Sequence, residues 1–69
     1  MSEFKASSKQ VIVNLEVLDD LPGLQQQLYA LSVHYVKEAG KCIFQPLPGY
    51  LDTILWLLDT NQVSYQLVE

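Results

Sequence analysis

The chain contains no arginine, one cysteine, one histidine and no apolar run longer than Ile54 to Leu58. Each scarcity removes a class of function. Four lysines face eight acids, for a net charge of -4. Lys5, Lys9 and Lys41 fall outside the expected helices, so no basic stripe forms. Nucleic-acid affinity comes mainly from Lys and Arg neutralising phosphates, which disfavours DNA and RNA as partners and, by the same argument, an anionic membrane surface. A membrane-spanning helix needs about 20 apolar residues. The amino terminus lacks the charged-then-apolar start of a signal peptide, so a cytoplasmic, soluble protein is expected.

Cys42 alone cannot form an internal disulfide, and the covalent staples of a secreted mini-protein are missing. Catalysis has little to work with. His34 sits beside the expected core stripe of a helix, and Cys42 alternates with Phe44 toward the core, where thiols are usually inert. A zinc-type site needs three or four convergent ligands, which these residues do not supply. Asp52 and Asp59 share a helix face but lie two turns apart, too far for a carboxylate pair. Asp19, Asp20 and Asp52 place negative charge near the helix starts, where it repels a phosphate, and neither turn carries a glycine-rich cradle or a lysine. No enzyme activity, cofactor or metal is expected.

What the chain does have is alternation and punctuation. Gln10 to Leu18 alternates, with Val11, Val13, Leu15 and Val17 on one face and Ile12, Asn14 and Glu16 on the other, which predicts a strand with one wet face. Asp19-Asp20-Leu21-Pro22-Gly23 then supplies capping carboxylates and a proline for the first helical turn. The helix is expected to run to about Glu38 and stop at Gly40. Lys41 to Gln45 is a short strand, Tyr50 to Thr60 a second helix, Asn61-Gln62 a turn, and Val63 to Val68 a third strand.

Leu-Pro-Gly occurs twice, 26 residues apart. The same shift lays Leu24, Leu28 and Leu31 on Tyr50, Ile54 and Leu57, a coincidence that repeated helix-start chemistry explains without duplication. The expected fold is a two-layer α/β domain, β-α-β-α-β, over residues 10–69, preceded by a flexible arm over residues 1–9. Its three-stranded, mainly parallel sheet has the order 1-2-3, with both helices on one face, since right-handed crossovers in a progressing order place them together. Both Leu-Pro-Gly turns then lie at one edge of the sheet, and Val11 and Val63 stand on its open edge strands.

The anomaly is apolar surface. Leu24, Leu28, Leu31 and Tyr35 make one core-facing seam on the first helix, while Tyr29, Val33 and Val36 make a second stripe nearly opposite. On the second helix the only tryptophan, Trp56, points away from the core side. Tryptophan is enriched at interface hot spots. The expected function is therefore a small non-enzymatic interaction or regulatory protein. Its partner is a protein, most simply a second copy in a homo-oligomer, bound through Tyr29, Val33, Val36 and Trp56. The alternative is a regulatory domain sensing a small molecule on the polar sheet face (Asn14, Glu16, Gln45, Ser64, Gln66) or at the strand C-terminal edge.

Overall fold

The computed structural model describes residues 9–68. The arm expected over residues 1–9 lies, apart from Lys9, outside the described residues. Strand β1 covers Gln10–Asn14, with Val11 and Val13 buried. Alternation continues in the sequence to Leu18, but the strand ends at Asn14, whose Oδ1 accepts the Glu16 N–H at 2.8 Å and caps the short helix α1, Leu15–Asp19. A local side-chain cap of this kind competes with the ladder for the backbone. The bend carries Leu18 into the core, and the Leu15 N–H donates to the Gly40 carbonyl at 2.9 Å.

Helix α2, Pro22–Ala30, opens with proline at its first turn. Its N-cap is Leu21, which makes no side-chain cap, so the expected aspartate caps are not formed; Asp19 instead accepts a long bond, 3.5 Å, from Gln25 Nε2. The helix ends at Ala30 and not near Glu38. Ser32–Glu38 is strand β2, which turns through Ala39-Gly40 into β3, Lys41–Pro46. Glu38 pairs with Lys41, so the loop has two residues, and both have positive φ, 53° at Ala39 and 76° at Gly40. Only a type I′ turn asks for positive φ at both central positions, and its twist matches that of the flanking strands.

The expected three-stranded, mainly parallel sheet of order 1-2-3 is thus replaced by a four-stranded, all-antiparallel sheet of order β2-β3-β1-β4, with three helices. Helix α3 is Leu51–Thr60, and β4 is Tyr65–Val68. The missing strand was hidden in the expected first helix, and the tight hairpin forces it to lie antiparallel beside β3. Strands β1 and β2 still run parallel, but β3 lies between them; β3 and β4 run parallel with β1 between them. This is the split β-α-β plan used twice, the arrangement of ferredoxin-like sheets. Strand β1 is therefore interior and Val11 fully buried; among the described residues the edge strands are β2 and β4, and buried Val63 precedes β4.

The two Leu-Pro-Gly segments prove inequivalent. Pro22 and Gly23 lie inside α2, whereas Leu47-Pro48-Gly49 forms a turn ahead of α3, with Gly49 at φ 86° and the Tyr50 N–H bonded to the Leu47 carbonyl at 3.0 Å. By burial, the counterparts of Leu24 and Leu28 are Ile54 and Leu58, not Tyr50 and Ile54; Tyr50 is exposed. Because β1 and β3 are antiparallel neighbours, their C-terminal ends, which the two segments follow in the chain, point to opposite ends of the sheet.

One core holds both layers together. Val11, Val13, Cys42 and Phe44 from the sheet meet Leu18, Leu24, Leu28, Ile54, Leu58 and Val63, so all the helices that contribute lie on one sheet face. Each fully buried side chain of this size contributes about 1.5–3 kcal/mol. Helix α3 ends in a Schellman motif: Gln62 takes φ 59°, its N–H donates to Asp59 at 3.0 Å, and the Val63 N–H donates to Leu58 at 2.8 Å. Burial of Val63 against Leu58 is the apolar contact that usually accompanies this motif.

Candidate functional site

The four residues singled out from the sequence fall in three places. Tyr29 is half-buried near the end of α2, Val33 and Val36 lie on edge strand β2, and Trp56 stands on the outer side of α3. The apolar stripe of Tyr29, Val33 and Val36 does not exist as a helix face, since the last two belong to a strand. Val36 pairs with Ile43, on the sheet face away from the helices, whereas Tyr29 packs on the helix-covered face against Phe44. Exposure is 59% at Val33, 38% at Val36 and 62% at Trp56. Tyr35, read from the sequence as a core residue, is 42% exposed on the same edge strand.

Strand β2 is held to the body by an aromatic cluster. Tyr29 and Tyr35 stack at 4.0 Å between centroids, and Phe44 lies 5.8 Å from Tyr29 and 6.3 Å from Tyr35. Lys37 Nζ sits 5.8 Å over the Tyr29 ring. The hydrogen-bonding pull of the Tyr29 hydroxyl, reinforced by charge interaction, holds the Lys37 ammonium above its ordinary value of 10.5. The two groups nevertheless fall short of a well-formed bond, and Tyr29 Oη is enclosed without a partner. Burial pushes the Cys42 thiol up, against a smaller opposing effect of Lys37.

The sheet face away from the helices carries an apolar row. Val36 is opposite Ile43, Ile43 opposite Ile12, and Ile12 opposite Gln66. His34 and Gln45 flank the row on one side, and Glu38, Lys41 and Asn14 on the other. Of the polar set expected to face a ligand, Asn14, Gln45 and Gln66 share this face, with Asn14 occupied in capping, while Glu16 belongs to α1 and Ser64 precedes β4. Between α2 and α3 runs an open groove of about 290 Å³ lined by Gln27, Ala30, Leu31, Thr53 and Leu57.

His34 and Cys42 point to opposite faces of the sheet, His34 exposed on the open side and Cys42 buried, so they form no nucleophile-base pair. Among the described residues no three His, Cys, Asp or Glu side chains come together as a metal site, and no helix is long and apolar enough to cross a membrane. The signal that sequence reasoning missed was the edge strand itself: β-branched and aromatic residues in Ser32–Glu38, closed by Ala39-Gly40. No protein-family model matches the chain, and comparison with curated proteins and with solved structures gives no significant match.

Proposed function

We propose that this chain is a small, non-enzymatic interaction domain whose contact surface is the edge strand β2, with Trp56 as a second contact. The reading rests above all on one observation: a seven-residue strand with one edge unpaired among the described residues displays Val33, Tyr35 and Val36 to solvent. Unpaired strand edges are templates for pairing with another chain, and stable folds ordinarily blunt them. The acidic net charge of -4 and the absence of arginine support a protein partner over nucleic acid or an anionic membrane. Self-association is the simplest form, because a domain this small gains buried area that one copy cannot provide.

Two measurements test the reading together. Sedimentation equilibrium at micromolar concentration is expected to give a mass above the 7.8 kDa of one chain. Affinity capture with wild type beside Val33→Asp and Trp56→Ala is expected to retain a protein that one of the variants loses. A chain that stays monomeric and captures the same proteins with and without these substitutions has no such function.

A further inference from the structure

We propose that β2 pairs antiparallel with β2 of a second copy about a two-fold axis at Val36, joining two sheets into one of eight strands. This deepens the self-associating reading above and rests on it.

The register follows from the strand itself. Pairing with β3 is irregular between Ser32 and His34 and regular from His34 to Glu38. The midpoint of the regular stretch is Val36. A bulge twists an edge and disrupts pairing locally, so the stretch free of it is the part able to take another strand. Centred there, an antiparallel partner sets Val36 opposite the partner's Val36, His34 opposite the partner's Glu38, and Tyr35 opposite the partner's Lys37. A two-fold contact requires such self-complementarity, each residue meeting its counterpart reciprocally.

The side chains fit that register on both faces. On the face away from the helices an acid meets an imidazole at either end of a Val-Val contact, where the imidazole N–H is a donor for the carboxylate. The apolar row Ile12-Ile43-Val36 then continues into the partner's identical row, turning an interrupted stripe into one that crosses the joint. On the helix-covered face the exposed ring of Tyr35 meets the methylene stem of the partner's Lys37, an apolar contact that leaves the ammonium over its own Tyr29. Lysine on an edge usually discourages pairing. Here Lys37 lies over Tyr29 of its own chain, which lays the side chain along the protein and leaves the strand edge open. Strand β4, the other edge, offers four residues among those described.

Cysteine trapping tests the register. Val36→Cys places a thiol on the axis, facing its own copy at a separation, about 4.5–5.5 Å between Cβ atoms, from which a disulfide forms with slight adjustment. The native Cys42 is buried and does not compete. Gln66→Cys and Gln26→Cys serve as exposed controls, and Val36→Lys as a like-charge block. The expected result is a dimeric wild type, covalent dimer from Val36→Cys under mild oxidation at least about tenfold faster than from either control, and self-association weakened roughly tenfold or more by Val36→Lys. A dimer that cross-links as fast through Gln66→Cys or Gln26→Cys overturns this joint while leaving self-association intact. A chain that remains monomeric, with no preference among the three thiols, overturns both; circular dichroism of each variant checks that its fold is retained.

Discussion

Tyr29 and Tyr35 stack with their rings 11° from parallel, 4.0 Å apart, and so fasten the edge strand β2 to α2. Neither residue is adjacent to the other in the hydrogen-bonded framework; the pair links the helix layer to a strand that has one neighbour in the sheet among the described residues. A double-mutant cycle with Tyr29→Leu and Tyr35→Leu should give a coupling of about 0.5–1.5 kcal/mol in urea unfolding. Tyr29→Phe should be neutral or stabilising, because it removes an enclosed hydroxyl that has no hydrogen-bond partner. Marked destabilisation by that change would mean the hydroxyl is satisfied in solution.

Two non-glycine residues occupy the left-handed region, Ala39 at φ 53° and Gln62 at φ 59°. For most side chains this conformation costs roughly 1–2 kcal/mol. Ala39→Asn, which suits a type I′ turn, and Gln62→Gly, which suits a helix C-terminus, should each stabilise the fold by about 0.5–1 kcal/mol. Gly40→Ala should destabilise it by about 1–2 kcal/mol. Chemical denaturation midpoints read all three directly.

Cys42 has a pKa raised by burial above its ordinary value of 9.0. In the unfolded chain the thiol loses its proton near that value, while the folded protein keeps it to higher pH. Stability attached to this group is therefore complete below about pH 9 and declines as pH rises through the folded thiol's titration. Cys42→Ala should remove that alkaline decline. Ellman's reagent at pH 8 should label the native protein slowly and the urea-unfolded chain at once, and rapid labelling of the native form would contradict the burial.

Leu28 is fully buried and Trp56 is 62% exposed, although both lie on helices and both are large and apolar. Leu28→Ala should cost about 2–5 kcal/mol, comparable to the whole stability of so small a domain, and so leave it largely unfolded at 37 °C. Trp56→Ala should shift stability by no more than about 0.5 kcal/mol. Thermal melts separate the two, and tryptophan emission from a non-associated chain should be red-shifted.

Helix α3, strand β3 and the core role of Cys42 and Phe44 were legible because their patterns answer to one buried face. Strand β2 was not. As an edge strand with only partial cover on either side, it shows no clean alternation, and Tyr29, Val33 and Val36 fall by chance at helical spacing. Periodicity alone therefore places Tyr29, Val33 and Val36 on one helix stripe, when Val36 and Tyr29 lie on opposite sides of the sheet. The bend at Asn14 was equally hidden, since Leu15 and Val17 continue the alternation of β1 while the backbone turns into a helix.

The sequence by itself determined which residues are apolar enough to make a core and where Pro22 starts a helix. These depend on composition and on contacts within a few residues. Only the tertiary structure decided the strand count, the antiparallel order and which apolar groups stay wet. Those outcomes hang on the Ala39-Gly40 hairpin, which commits β2 to β3, and on the competition among strands for the two sides of β1, neither of which is written in local periodicity.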